Sequence, residues 1–228
     1  MKKYKLRHLI IFTAAYGLFS LFMFFLTYEG LSIWMAINVG FAMIPLVVIT
    51  YLSKRFMEMH LRVDYILIMG LLFFVFFYPN SFYIITDFMH LDKYDFYTSQ
   101  QYVGTTYRLL IDPYFMLVHI TISALVGIYA GIQSLLVLED MIQLKYKKKW
   151  YSRTVVVILM VLSSLGIYIG RFLRFFSWDI LNPIKVITEL FDSLSVFTVE
   201  FVVFFTFTQL LLYYGFKLII IKSPINSD

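Results

Sequence analysis

Apolar residues along the chain gather into six long runs, at about 9–27, 31–52, 65–88, 113–137, 154–175 and 196–221. Each run approaches or exceeds the roughly 20 residues that a helix needs to cross the hydrocarbon of a bilayer. Barrel strands also satisfy their backbone in lipid, but they alternate apolar with polar residues and would dilute the apolar fraction. The pattern therefore predicts an all-α integral membrane protein, a single bundle over residues 1–228 with six transmembrane helices. The first run follows Met1-Lys2-Lys3-Tyr4-Lys5-Leu6-Arg7, which resembles the basic region of a signal peptide. Its apolar stretch is longer than such a peptide carries and no small-x-small cleavage site follows, so it reads as an uncleaved first helix.

Composition narrows the class further. Hydrophobic residues make up 61% of the chain and charged residues 14%, against about 45–50% and 25% in soluble domains. A soluble enzyme, a disordered chain, a collagen and a disulfide scaffold are all excluded. Cysteine is absent, which removes thiol nucleophiles, disulfides, Cys-ligated zinc and iron–sulfur clusters. The remaining residues leave the cofactor open: Asp87 with His90 offers two metal ligands, and His90 with His119 two haem ligands, with no metal set assigned.

The net charge of +5 would suggest nucleic acid in a soluble protein, but its distribution argues otherwise. With the N-terminus inside, 14 of the 19 basic residues fall on inner segments, including Lys2, Lys3, Lys5, Arg7, Lys54, Arg55, Arg62 and the run from Lys145 to Arg153. Five lie outside or in outer helix halves: Lys93, Arg108, Arg171, Arg174 and Lys185. This asymmetry places both termini in the cytoplasm. The 145–153 run then reads as a topology anchor, although such a run could also bind anionic lipid heads. Nucleic acid is not an expected partner. The bilayer is, together with an anionic lipid head group or another membrane protein. Nine of 14 acidic residues lie on the outer side, and function is expected there.

Two polar clusters mark that side. The third run changes from bland apolar sequence to Tyr78-Pro79-Asn80-Ser81-Phe82-Tyr83-Ile84-Ile85-Thr86-Asp87-Phe88-Met89-His90. Pro79 removes a backbone donor and kinks the helix. Beyond it Asn80, Tyr83, Asp87 and His90 share one face if the chain stays helical. A carboxylate one turn from an imidazole can orient it as a base, which makes Asp87 and His90 the candidate catalytic pair. The fifth run ends in Gly170-Arg171-Phe172-Leu173-Arg174-Phe175-Phe176-Ser177-Trp178-Asp179, with Arg171, Arg174 and Trp178 on a common helical face. Arginines here oppose the orientation rule and so need a partner, either an internal carboxylate (Asp87, Asp112, Asp179 or Glu200) or an anionic ligand.

Other features are simpler. Asp112-Pro113 has the form of an N-cap followed by N1. His119 lies two turns deeper, as a core histidine or a functional one, and Glu200 would take an arginine as its natural partner. Gln209 reads as interhelical glue, and Gly127-x-x-x-Gly131 and Gly166-x-x-x-Gly170 as helix contacts. Residues 183–194 read as a short amphipathic helix on the outer surface, capped by Asn182, with Ile184, Ile187, Phe191 and Leu194 as its apolar stripe. The 92–111 loop, rich in Tyr, Gln and Thr, has the length of a lid.

At the two clusters the sequence resembles a known family. Pro79 to Leu91 is similar to the signature P-N-x-P-Y-x-x-T-D-x-x-H-L of a bacterial membrane family catalogued as domain of unknown function 1361, with Phe82 standing where the family tends to have proline. Gly166 to Asp179 resembles its second signature, G-x-Y-x-G-R-F-x-R-x-x-S-W-D. The resemblance implies a multi-pass protein of the bacterial cytoplasmic membrane and points to the same residues, without implying a reaction. Three functions are then open. One is a binding or assembly module of the cell envelope with an outward-facing polar pocket. A second is a membrane hydrolase or transferase acting on an anionic lipid-linked or envelope substrate, with Asp87 or His90 as base. In either, Asn80, Tyr83, Thr86, Arg171, Arg174, Trp178 and Asp179 would form the binding surface. The third is a small transporter, against which the lack of a visible inverted repeat counts.

Overall fold

The computed structural model describes residues 3–27, 29–99, 106–107, 110–175, 179 and 182–221. Helix α1 spans Lys3–Thr27 and α2 spans Gly30–Glu58. The third run is broken into α3 (Tyr65–Phe77), α4 (Pro79–Tyr83) and a 3-10 helix (Ile84–Lys93). A small antiparallel pair follows, β1 (Tyr97–Ser99) with β2 (Thr106–Tyr107), then α5 (Ile111–Tyr146), α6 (Lys149–Phe172), α7 (Pro183–Asp192) and α8 (Val196–Ile221). Counting the broken run as one, six segments are long and apolar enough to cross a membrane. The chain thus has the makeup of a multi-pass membrane protein.

Element boundaries differ from the apolar runs where polar sequence prolongs a helix. Helix α5 has 36 residues, about 54 Å at 1.5 Å per residue, and so continues past the expected limit at 137 to Tyr146. It begins at Ile111, with Leu110 as its N-cap residue. Asp112 is therefore inside the first turn rather than the cap, because Ile111 already has helical geometry. The proposed lid at 92–111 holds the β1–β2 pair, and part of it lies outside the described residues.

Helix α5 is the axis of the packing. Val39, Ala42, Met116, Ile120 and Ala124 join α2 to α5, with Tyr16 of α1 and Ile84 of the 3-10 helix against them. A larger cluster joins Ile49, Phe74, Tyr78, Phe82, Leu135, Met160 and Tyr213 across α2 to α8. By contrast, α1 and α8 present large apolar side chains outward, among them Phe22, Phe25, Phe204 and Leu218. Such a surface is stable against lipid and not against water. Between α2 and α3 the chain reverses through His60 and Leu61, at φ 52° and 63°. There Asp64 accepts from the Leu67 N–H at 2.9 Å, capping α3, and pairs with Arg55.

Glycines decide where the broken third segment sits. A Cβ on Gly127 would lie 2.8 Å from the Ser81 carbonyl oxygen, and one on Gly131 would lie 2.7 Å from the Phe82 ring. On α6, a Cβ at Gly166 would meet Pro79 at 2.7 Å, and one at Gly170 would approach the Tyr83 ring at 3.3 Å. The two small-residue motifs are thus two cradles for one element. They let α4 wedge between α5 and α6, and Ser81 then donates to the Ala42 carbonyl of α2 at 2.9 Å.

Candidate functional site

Proline at 79 ends α3 because its ring and missing N–H cannot continue the helix. Tyr78 closes α3 by donating its N–H to the Phe74 carbonyl, and Pro79 opens α4. The chain then tightens into the 3-10 helix over ten residues, a longer stretch than this winding normally holds and one often found at functional positions. Tightening changes which side chains align. At about three residues per turn, Tyr83 and Thr86 form one row and Asp87 and His90 the next.

Arg171, in the last turn of α6, lies across both rows. Its Nη2 donates to Asp87 Oδ1 at 2.9 Å and its Nε donates to Thr86 Oγ1 at 2.8 Å. Its Nη1 is 3.5 Å from His90 Nε2, and the guanidinium carbon is 4.9 Å from the centre of the Tyr83 ring. Thr86 itself donates to the Tyr83 carbonyl. On the far side, Asn38 of α2 donates to Asp87 Oδ2 at 2.8 Å. Both carboxylate oxygens of Asp87, a residue only 2% exposed, are thus held by donors from different helices. A buried carboxylate is tolerable on those terms, since pairing and hydrogen bonding offset its desolvation.

These contacts limit the chemistry. His90 Nε2 is 3.9 Å from Asp87 Oδ1, too far for the hydrogen bond that would orient an imidazole. Asp87 and His90 stand at ion-pair distance, and the hydrogen bond to Asp87 Oδ1 comes from Arg171. Among the described residues no group of three or more His, Asp or Glu side chains stands where it could hold a metal ion.

A family model described as "Protein of unknown function (DUF1361)" matches residues 37–212. The chain belongs to this family. The match takes in Asn38, both clusters and the two glycine motifs. No curated protein and no solved structure matches the chain.

The remaining sequence candidates of this DUF1361 protein divide plainly. Tyr83, Thr86, Asp87, His90 and Arg171 come together. Asn80 lies in α4, where its amide donates to the Phe77 carbonyl at 3.0 Å. Arg174 was expected on the face of Arg171, but α6 ends at Phe172 and Arg174 takes a left-handed φ of 59°. It is exposed, and among the described residues no ion pair reaches it. Asp179 is half-buried, and its carbonyl accepts from the Asn182 N–H. Trp178 lies outside the described residues. Glu200 is exposed on α8, and among the described residues no ion pair joins it to an arginine.

Sequence reasoning missed Asn38. A lone amide inside the second apolar run was its only signal. It also missed a second ion pair, in which Lys217 of α8 and the Tyr213 hydroxyl both donate to Glu139 Oε2 of α5. Gln143 joins that carboxylate to Ser152 in the first turn of α6. Ser152 and Arg171 are about 28 Å apart along one helix, so the two charge clusters occupy opposite ends of the bundle. His119 is a core histidine: its Nε2 lies 2.9 Å from Ser20 Oγ, with Tyr16, Phe19 and Phe115 rings around it. Gln209 donates to Ser164 of α6 at 2.8 Å, the interhelical role expected for it.

Proposed function

We propose that this protein is a non-catalytic binding or assembly module of the bacterial cytoplasmic membrane, with both termini in the cytoplasm. In this reading the Arg171 cluster faces the outside and organises the surface that a partner reads. The observation that carries it is the closed pairing of Asp87, whose two oxygens are taken by Arg171 and Asn38. A buried carboxylate whose two oxygens are held by a guanidinium and an amide from two other helices is a structural fixture. Around it stand groups free of that duty, namely the exposed Arg174 and the partly exposed His90. The basic excess of the segments assigned to the inside supports the orientation.

The test is purification from native membranes of the wild type and of His90→Ala/Arg174→Ala, followed by mass spectrometry. A protein that co-purifies in fixed ratio with the wild type and is lost from the variant supports the module. Equal recovery of the same proteins from both overturns it.

His90 favours a second reading. Its side chain is 33% exposed at the edge of the Arg171 guanidinium, where an imidazole could serve as the base of a membrane hydrolase or transferase. An anionic lipid-linked substrate would then lie against Arg174. Release of product from such lipids by the wild type, and its loss in His90→Gln, would select this reading over the first.

A further inference from the structure

Helix α7 carries three chemically different faces. Taking Ile184 as the origin and about 100° per residue, Ile187 and Phe191 fall within a sector of about 60° that includes it. Ile184 is 78% exposed, Ile187 52% and Phe191 67%. Thr188, Asp192, Lys185 and Glu189 occupy a second sector, its centre about 120° from that of the first. Val186 and Leu190, both half-buried, mark a third flank turned toward the bundle. Leu194 prolongs the apolar stripe in the turn that follows.

The helix is also fixed in height. Its C-cap residue Ser193 offers its carbonyl to Tyr168 Oη of α6 and to Thr198 Oγ1 in the first turn of α8. Thr198 in turn donates to Tyr168 Oη at 3.0 Å. At the other end, Asn182 caps the helix through the Lys185 N–H, and the Lys185 ammonium lies 5.4 Å from the centre of the Phe175 ring. Both neighbours are spanning helices, and their adjoining residues Phe172, Val196 and Phe197 are large and exposed. The apolar stripe of α7 is therefore continuous with surfaces that lipid must cover.

We propose that α7 is a membrane-surface helix whose occupant is the bilayer itself. Ile184, Ile187, Phe191 and Leu194 enter the boundary between head groups and acyl chains at the Phe172 end of the bundle. One flank rests on the protein and the polar face is turned to water. A helix of this kind beds roughly 5–10 Å into that boundary. The placement is independent of what the Arg171 cluster binds.

Because the chain has no cysteine, nitroxides can be placed singly at Ile187→Cys, Phe191→Cys, Thr188→Cys and Asp192→Cys. The full chain is reconstituted in vesicles of phosphatidylcholine and phosphatidylglycerol. Collision with oxygen should exceed collision with a water-soluble nickel chelate by several-fold at 187 and 191, and the order should reverse at 188 and 192. Ile184→Cys supplies a second label on the stripe if one variant fails to fold. Nickel accessibility at 187 and 191 equal to that at 188 overturns the proposal, since α7 would then stand in water. Protection of 187 and 191 from both reagents also overturns it, since protein would then cover the stripe.

Discussion

Arg171 and Asp87, 84 positions apart in the sequence, meet at 2.9 Å across the gap between α6 and the 3-10 helix. The contact explains why an arginine is tolerated in the last turn of a spanning helix. It also ties the broken third segment to α6 at its far end, as Gly166 and Pro79 do at its near end.

Removing one member of this pair leaves the other buried without compensation. Arg171→Met is expected to cost about 3–5 kcal/mol, whereas the double substitution Asp87→Leu/Arg171→Met should cost clearly less than Arg171→Met alone. Denaturant unfolding in detergent micelles measures both. A loss in the double variant equal to the sum of the Arg171→Met and Asp87→Leu losses would show that the pair carries no coupling.

The glycine cradles separate close approach from helix propensity. In Gly127→Ala the new methyl meets the Ser81 carbonyl oxygen at 2.8 Å, a backbone atom that cannot step aside, and a loss of about 1–3 kcal/mol is expected. Gly40→Ala in α2 meets nothing within 4 Å and should be neutral or up to about 1 kcal/mol more stable. Thermal melts of the two variants side by side give the comparison.

The α2–α3 turn should make stability pH-dependent. Hydrogen bonds from Arg55 and then from the Leu67 N–H hold the Asp64 carboxyl below its ordinary range. A group depressed in this way stabilises the fold above its unfolded value, about 3.9. That contribution is lost as pH falls through its folded value. The melting temperature of the wild type should therefore drop in acid more steeply than that of Asp64→Asn. Parallel curves would remove Asp64 from the acid response.

Tyr168 is the hub of the α6–α7–α8 junction. Tyr168→Phe keeps the ring against Phe172 and Phe201 but deletes the hydroxyl shared by Ser193 and Thr198. An expected cost of about 0.5–1.5 kcal/mol follows for the lost hydrogen bonding. Faster hydrogen exchange confined to α7 and the first turn of α8 would locate it.

Most of the candidate site was legible before the structure, and the part that was not has a common cause. Tyr83, Thr86, Asp87, His90 and Arg171 stood out because polar groups in apolar runs need partners. Which partner each would take was not legible. Asp87 was matched to His90 by spacing along one element, whereas its nearest charged partner, Arg171, comes from another helix and is set by packing. Arg174 was matched to Arg171 in the same way, and the end of α6 at Phe172 separates them.

The sequence by itself determined the six spans, the break at Pro79 and the amphipathic α7, because each follows from local physics: hydrocarbon thickness, a missing N–H, and the period of a helix. Only the tertiary structure decided that the two glycine motifs receive the same broken segment, that Asn38 holds the second oxygen of Asp87, and that Glu139 finds Lys217. Those relations join elements tens of residues apart, and they depend on how closely helices approach and in what rotation. A one-dimensional pattern fixes which faces are apolar, whereas the pairing of the polar groups left over is set by the packing.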